Sequence, residues 1–462
     1  MRTESDLLGE LQIPETAYYG VQTQRAINNF KISNNYLSHY PEFVKALGVV
    51  KLGAAQANHE LGILSKELFD AISFASNELI AGKYTEQFPI DMIQGGAGTS
   101  TNMNANEVIA NIALEHLGKQ KGEYQFCSPN DHVNLSQSTN DAYPSALKLA
   151  LFNMNKPLID ALTSLYEAFD KKGKQFGNVI KMGRTQLQDA VPMTLGQEFE
   201  GFSNTLHKEV DNLNRIATEL LVINMGATAI GTGLNAVPGY AQLCTTKIAE
   251  IMNEDVSLAD NLVEATSDTS SFVDYSSALK RLCVKLSKIC NDLRLLTSGP
   301  RTGLFEINLP PKQPGSSIMP GKVNPVIPEV VNQVCFKVIG NDLSITMAAE
   351  AGQLQLNVME PIIGFSIMES IQYLTNAMNT LRVECVDGIT ANAEHLKNEV
   401  QNSIGIVTAL NPYIGYKAST KIAKEALETG GSVYQLVLDH SLLSKERLDE
   451  ILDPKNMLGP HI

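Results

Sequence analysis

The repeat of apolar residues at steps of three and four is the feature of this sequence that most limits its fold. It is clearest at residues Phe199, Phe202, Leu206, Val210, Leu213, Ile216 and Leu220. Such a pattern is typical of one apolar face on a helix of about six turns. Similar patterns extend over residues 149–176, 270–296, 325–347 and 353–385. Long helices with one apolar face need neighbours to cover it, so we predict four or five of them packed side by side in a bundle.

The rest of the chain predicts more helix and little sheet. Helical pattern begins near Pro41 and runs toward Leu79. The sequence has no internal repeat and no alternation of strands with helices that would indicate a parallel sheet. We therefore predict a mainly helical, all-α fold in three parts. These are a mixed helical and turn domain at residues 1–141, a central long-helix bundle domain at residues 142–395, and a small helical domain at residues 396–462.

The formal net charge of −14 limits the partners of the protein. Nucleic acid and an anionic membrane surface both need a basic face, so we expect neither as the main partner. No long apolar run suggests a membrane span, and the N-terminal residues lack a basic start followed by an apolar stretch. The six cysteines form no CxxC pair and no metal-binding spacing, which indicates reduced thiols in a core. These features favour the cytoplasm.

Three clusters of small polar residues interrupt the helical pattern. They read QGGAGTSTNMNANE at residues 94–107, NDHVNLSQSTND at residues 130–141 and GRTQLQDAVP at residues 183–192. Serine, threonine and asparagine before a helix are often only N-caps, while glycines let a ligand approach the backbone. Because the three clusters occur together with a polar loop at residues 315–324, capping alone does not explain them. We interpret them as parts of a ligand site.

The stretch PGSSIMPGKVNP at residues 314–325 belongs to a long loop that begins near Gly299. Asn324 followed by Pro325 predicts the N-cap and first residue of the next helix, whose positive end then faces the loop. Hydroxyls, backbone N–H groups, Lys322 and a helix N-terminus together favour a carboxylate or phosphate site. The spacing of a nucleotide P-loop is absent, because valine follows the Gly-Lys pair and no strand precedes it. That absence favours a carboxylate.

These motifs carry a family resemblance. GSSIMPGKVNP at residues 315–325 is similar to the signature loop of the aspartase/fumarase superfamily, whose members cleave C–N or C–O bonds and release fumarate. The resemblance covers nearly the whole chain through GGAGTSTNMNANEVIAN, SQSTNDAYPS, MGRTQLQDAVP, NMGATAIGTGLN and SIGIVTALNPYIGY. It implies a mainly α-helical protomer of three domains and a homotetramer whose central bundle is built from four subunits. It also implies active sites that are each shared among three subunits.

Four local features resemble the ammonia-lyases of the superfamily more than its class II fumarases. They are GTSTN at residues 98–102, QSTND at 137–141, NPVIPEVVNQ at 324–333 and Gln186 within GRTQLQDA. At these places fumarases are expected to read GTQSN, QSSND, NPTQCE and GRTHLQDA. The resemblance therefore implies reversible conversion of L-aspartate to fumarate and ammonium. A class II fumarase acting on malate, and a non-catalytic structural protein on the same fold, stay open as alternatives.

The resemblance also implies roles for single residues. Removal of a proton beside the β-carboxylate creates a doubly charged aci-carboxylate, which needs preorganised donors. By resemblance, the β-carboxylate is held by Thr99, Ser138, Thr139 and Ser317, the α-carboxylate by Lys322, Asn324 and Thr185, the amino group is oriented by Asn140 and Gln186, and the general base is Ser316. The residues alone do not distinguish the two serines of the loop. No metal motif is present, so we expect no required cofactor and leave activation by a divalent cation such as Mg²⁺ open.

Overall fold

The protein is described by a computed structural model that covers residues 1–457, and most of these residues are helical. The helices are α1 (Val21–Asn29), α2 (Pro41–Glu60), α3 (Lys66–Ile80), α4 (Thr99–His116), α5 (Thr139–Gln175), α6 (Leu195–Ala217), α7 (Tyr240–Met252), α8 (Leu262–Ser267), α9 (Ser270–Leu296), α10 (Val326–Glu350), α11 (Glu360–Glu384), α12 (Ala393–Asn402), α13 (Val407–Ile414), α14 (Tyr416–Thr429), α15 (Val433–Asp439), α16 (Lys445–Ile451) and α17 (Pro454–Met457). The prediction of an all-α fold is confirmed.

The strands of the described chain are short and form two-stranded sheets. They pair as β1 (Arg2–Asp6) with β2 (Gly9–Ile13), β3 (Ile180–Thr185) with β4 (Gln188–Thr194), β5 (Val222–Ile223) with β6 (Ser257–Leu258), and β7 (Ile307–Asn308) with β8 (Thr390–Ala391). All pairs are antiparallel except β5 with β6. None of these sheets is wide enough to form a core of its own, so the strands serve to shape connections between helices.

The described chain folds as two compact units, each assembled from three stretches of sequence. Unit 1 consists of residues 1–159, 211–283 and 336–374, and unit 2 of residues 160–210, 284–335 and 375 onward. Every boundary lies within one of the five long helices α5, α6, α9, α10 and α11, so each unit contains a segment of each. The division into domains at residues 141 and 395 stays a prediction.

The core of unit 1 is built around α2, most of which is buried and which packs against α3 and α7. The long-helix segments of this unit are joined by buried polar contacts. The Tyr275 hydroxyl on α9 donates to Asn155 Oδ1 on α5 at 2.8 Å, and the Ser276 hydroxyl donates to Asp342 Oδ1 on α10 at 2.8 Å. Satisfied polar contacts of this kind fix the register of helices whose apolar faces would otherwise slide.

The core of unit 2 has an aromatic part and an aliphatic part. Phe169 on α5 packs against Phe199 and Phe202 on α6, with ring centroids 6.0 and 5.8 Å apart. The aliphatic part surrounds β3 and the C-terminal helices and contains the buried residues Ile180, Met182, Val400, Ile406, Leu410, Ile422, Val433, Val437, Leu448 and Ile451. The hairpin β3–β4 is therefore anchored in a hydrophobic core at its base.

The long helices are confirmed where the apolar patterns predicted them, and several differ in their ends. The pattern over residues 270–296 matches α9, whereas the pattern from Pro41 toward Leu79 is two helices. The second of them starts where Ser65 Oγ accepts the N–H of Leu68 at 3.4 Å. Helix α11 begins at Glu360 rather than residue 353, because Leu354 has φ +56° and cannot continue a right-handed helix. Within residues 1–457, every helix is too short or too polar to cross a membrane.

Candidate active site

Two helix N-termini meet in unit 1. Thr99 begins α4 and Thr139 begins α5. Asn102, one turn into α4, donates from Nδ2 to the Thr139 hydroxyl oxygen at 3.2 Å. Gly98 has φ +87°, and a Cβ at this position would lie 2.3 Å from the Tyr143 ring on α5. Only glycine permits both the backbone conformation and the close approach, so the two N-termini are held side by side.

Four of the predicted site residues lie at these N-termini, namely Thr99, Ser138, Thr139 and Asn140. Ser138 Oγ accepts the N–H of Asn140 at 3.2 Å, and Asn140 Nδ2 donates to Ala229 O at 2.7 Å. The Thr99 hydroxyl donates to Gly96 O at 2.8 Å. Hydroxyls placed at the positive ends of two helices favour a bound anion. Their assignment to the β-carboxylate and the amino group stays a prediction.

A buried lysine that the sequence analysis did not single out supports this cluster. Lys51 on α2 is fully buried, and its Nζ donates to Asn102 Oδ1 at 2.7 Å, Gln137 Oε1 at 2.8 Å and Asn134 Oδ1 at 3.1 Å. Burial lowers the pKa of Lys51 to about 7, and the charge of Asp141 opposes that shift. The signal in the sequence was a single lysine within the apolar stretch LGVVKLGAA.

Asp141 holds the first turn of α5 through three backbone N–H groups. Its Oδ1 accepts from Ser138 at 2.9 Å, and its Oδ2 accepts from Gly226 and Thr228 at 3.0 Å each. Burial raises the pKa of Asp141 to about 6, while the three backbone bonds and the charge of Lys51 oppose that rise. The glycine-containing stretch NMGATAIGTG thus has a supporting role beside the cluster.

The signature loop, residues 314–325, lies in unit 2 and is closed at its neck by the main chain. Pro314 and Val323 form an antiparallel bridge, and Gly315 N donates to Lys322 O at 2.6 Å. Beside the neck lies a cavity of about 460 Å³ whose lining includes Lys322 and Arg294. Two cationic side chains beside one cavity favour a small anionic ligand, as the motif predicted.

The role of Asn324 at the helix start needs a correction. It was predicted as the N-cap of a helix that begins with Pro325, but α10 begins at Val326. The Asn324 side chain instead donates from Nδ2 to Gly315 O at 2.9 Å, across the neck of the signature loop. The asparagine lines the same cavity as Lys322. The Asn324 side chain therefore helps to hold the signature loop closed across its neck.

The two serines of the signature loop have different surroundings. Ser316 is half-buried, and its Oγ accepts the backbone N–H groups of Ile318 at 3.2 Å and Met319 at 3.1 Å. Ser317 is exposed. Two N–H donors aimed at one hydroxyl oxygen stabilise negative charge on it, which lowers the cost of removing the hydroxyl proton. The structure therefore distinguishes two residues that the sequence alone does not.

Thr185 and Gln186 lie at the tip of the hairpin β3–β4 in unit 2. Thr185 pairs with Gln188, and the two residues between them, Gln186 and Leu187, have φ of +53° and +63°. Turns with two positive φ values usually contain Asn-Gly, because other side chains are strained there. Strained residues of this kind cluster at functional sites. The tip is exposed, so both predicted ligand contacts are accessible.

Metal ligands and His132 are two further features on which the described residues bear. Within residues 1–457, no group of three or more His, Cys, Asp or Glu side chains is placed to hold a metal ion. His132 accepts the Ser128 backbone N–H on Nδ1 at 2.8 Å, which is a structural contact within its own turn. The absence of a required cofactor stays a prediction, and activation by Mg²⁺ stays open.

Comparison with protein families identifies the chain. A family model described as Lyase matches residues 9–340, which is well over half of the sequence. The chain belongs to this lyase family. A second model, described as Fumarase C C-terminus, matches residues 406–459. The resemblance to the aspartase/fumarase superfamily that the motifs indicated is confirmed, and the protein is an enzyme of the lyase class.

Curated relatives of this lyase match over its full length. The aspartate ammonia-lyase of Pseudomonas aeruginosa is 60% identical over 462 residues, covering 100% of this chain and 98% of that protein. The proteins of the same name from Helicobacter pylori and Escherichia coli are each 57% identical over 461 residues, covering 100% of this chain and 98% and 96% of those proteins.

Solved structures show the same fold. A fumarate lyase:delta crystallin from Brucella melitensis bound to cobalt has a TM-score of 0.97 and 52% identity, covering 99% of this lyase and 100% of that chain. A recombinant class II fumarase from Schistosoma mansoni has a TM-score of 0.93 at 34% identity, covering 100% of both chains. Solved structures with different names share the fold, so the fold alone does not decide the activity.

Proposed function

We propose that this lyase deaminates L-aspartate reversibly to fumarate and ammonium, with Ser316 as the general base. The observation that carries the mechanism is the pair of backbone N–H groups, from Ile318 and Met319, that donate to Ser316 Oγ. A serine hydroxyl keeps its proton near neutral pH and can act as a base only if its pKa falls by several units. Each unit requires about 1.4 kcal/mol of differential stabilisation. Two aimed N–H groups and the charge of Lys322 on the same loop are available to supply it.

The choice of an ammonia-lyase over a class II fumarase is confirmed by the relatives. Three full-length relatives named aspartate ammonia-lyase are 57–60% identical to this chain, whereas the class II fumarase from Schistosoma mansoni is 34% identical. This agrees with Gln186, which occupies the position where fumarases are expected to have histidine. The reading as a non-catalytic structural protein is disfavoured because Ser316, Lys322 and Asn324 are all present.

The remaining site residues bind different groups of the dicarboxylate substrate. Deprotonation beside the β-carboxylate places a second negative charge on it, so the strongest donors belong there. Thr99, Ser138 and Thr139, at two helix N-termini, supply hydroxyls for this group together with Ser317. Lys322 and Asn324 line one cavity and bind the α-carboxylate with Thr185. Asn140 and Gln186 orient the amino group that leaves as ammonia.

The enzyme acts as a homotetramer with each site shared among three subunits. Helix α10 exposes a row of large apolar side chains, Phe336, Leu343 and Met347, which are 62%, 63% and 65% exposed in the single chain. Rows of this size on a long helix are usually covered by a partner. Packing the long helices of four copies together covers them. All six cysteines are buried, as expected of thiols in a core, and we place the enzyme in the cytoplasm.

Gly315→Ala tests whether the closed neck of the signature loop shapes the site. A Cβ at residue 315 would lie 2.8 Å from Lys322 O and 2.9 Å from Asn324 Cγ, so the neck must open. We expect kcat/KM for L-aspartate to fall roughly a hundredfold, because small misplacements of binding groups cost that much. The matched control is Gly321→Ala, where a Cβ meets no atom within 4 Å and only the positive φ is strained. Equal losses from the two variants would contradict the role of the neck.

The proposed function is tested by the ultraviolet absorbance of fumarate when the purified protein meets L-aspartate, with L-malate in parallel. Fumarate and an equal amount of ammonium from aspartate alone are expected. Fumarate from malate alone would make the protein a fumarase. No product from either substrate would favour the non-catalytic reading. Repeating the assay with added EDTA tests whether a metal is required, and adding Mg²⁺ tests whether a divalent cation activates the enzyme.

A further inference from the structure

A fully buried carboxylate in unit 2 binds two cations of one strand. The Glu306 side chain has no solvent exposure, and its Oε2 lies 2.5 Å from Lys181 Nζ. Its Oε1 is paired with the Arg184 guanidinium. Lys181 and Arg184 both belong to β3. A buried ion pair seldom adds net stability over apolar packing, so we looked to the elements that this one joins for a role.

The two sides of this ion pair lead to two segments of the chain that each carry proposed site residues. Arg184 directly precedes Thr185 and Gln186 at the tip of the hairpin. On the other side, Glu306 N donates to Leu296 O at 2.8 Å, and Glu306 O accepts from Asn392 N at 2.9 Å. The chain continues from Glu306 through β7 to the signature loop. Main-chain hydrogen bonds therefore fix Glu306 at the root of the signature loop, which is the segment that leads into residue 314.

We propose that Glu306, Lys181 and Arg184 form a positioning clamp that sets Thr185, at the tip of the hairpin, relative to the root of the signature loop. The clamp touches no substrate and acts through the hairpin tip. This inference rests on the proposed function, because it assigns the clamp a role only if Thr185 contributes to substrate binding.

Lys181 and Arg184 have further carboxylate partners, which restrict the movement of the clamp. Lys181 Nζ is also 2.6 Å from Glu198 on α6, and Arg184 is 3.5 Å from Glu399 on α12. Burial lowers the pKa of Arg184, but the carboxylates of Glu306, Glu399 and Asp189 together raise it above its ordinary value. The planar guanidinium can bind two carboxylates in fixed directions, which a lysine ammonium does not impose. The Arg184 side chain directly precedes the hairpin tip, so its fixed geometry orients the tip.

The decisive experiment is a double-mutant cycle between Arg184→Lys and Thr185→Ala in the full-length protein. Arg184→Lys keeps the charge but loses the planar geometry, so the fold and oligomeric state should persist. We expect it to raise KM for L-aspartate about tenfold with a smaller change in kcat, because the hairpin tip binds rather than reacts. In the Thr185→Ala background the same substitution should change KM less than threefold, since the group it positions is absent.

A matched carboxylate in the same unit separates positioning from folding. Glu209 on α6 is also without solvent exposure and is paired with Lys285 on α9, at neither the hairpin nor the signature loop. Glu306→Gln and Glu209→Gln should both lower the melting temperature, whereas only Glu306→Gln should lower kcat/KM well below the melting transition. Equal kinetic losses from both glutamine variants, or additive effects in the cycle, would overturn the clamp. If Thr185→Ala alone changes nothing, the substrate role of the hairpin fails, and the clamp fails with it.

Discussion

Replacing Ser316 with alanine is expected to lower kcat for L-aspartate deamination by about 10³-fold or more, with KM changed only a few fold. The hydroxyl oxygen of Ser316 accepts two backbone N–H groups, so the loop is arranged to stabilise the anion that must abstract the substrate proton. Alanine removes that oxygen and leaves the carboxylate-binding residues in place. The measurement is the rate of fumarate formation under saturating aspartate, together with a binding assay for fumarate.

Ser317→Ala is the matched control for this prediction. Ser317 is exposed, and its proposed role is to donate to the β-carboxylate, so its loss should cost about tenfold rather than 10³-fold. Circular dichroism and the oligomeric mass should be unchanged in both variants. A Ser316→Ala enzyme that keeps more than a tenth of its activity, or a larger loss from Ser317→Ala, would show that the base is a different group.

For the two serines of the signature loop, the sequence alone predicts the loop but not the residue that acts as the base. The motif predicted the signature loop and its anionic ligand because hydroxyls, backbone N–H groups and a lysine before a helix N-terminus favour an anion. It could not choose between Ser316 and Ser317, since the choice depends on where the N–H groups of Ile318 and Met319 point. That direction depends on the hydrogen bond from Gly315 N to Lys322 O, which closes the neck of the loop. This bond is a property of the folded backbone.

Residues that support the site from the interior were missed for a different reason. Lys51 and Glu306 are both buried, and each is a single charged residue within stretches that the pattern reads as core or loop. A charged residue in such a position has no distinctive spacing, and its partners come from other elements. Lys51 reaches Asn102 on α4, and Glu306 reaches Arg184 on β3. Only the packing of helices and strands brings these partners together.

Helix ends were less predictable than helices. The apolar repeat correctly gave the long helices because it reflects one buried face along many turns. Their ends depend on single residues whose backbone leaves the helical region, such as Leu354 with φ +56° before α11. The start of α10 was wrong by one residue because Asn324 binds Gly315 across the signature loop rather than the first turn. The sequence does not show which of these two partners the Asn324 side chain binds.

Complementation between two inactive variants is expected to restore activity, because each proposed site takes segments from more than one subunit. Thr139→Val removes a hydroxyl at the start of α5 in unit 1, and Ser316→Ala removes the base of the signature loop in unit 2. Each homotetramer should be nearly inactive. In mixed tetramers, a site that takes its loop from the Thr139→Val chain and its α5 from the Ser316→Ala chain contains both native groups.

The expected recovery follows from counting combinations. If the two segments of a site come from different subunits and equal amounts of the variants are mixed at random, about one site in four is native, so activity should return to about a quarter of wild type. The measurement is fumarate formation after co-refolding, with each variant refolded alone as the control. A site built within one chain can never receive both native segments from these parents. Absence of any recovery in tetramers shown by mass to be mixed would therefore place each site within a single subunit.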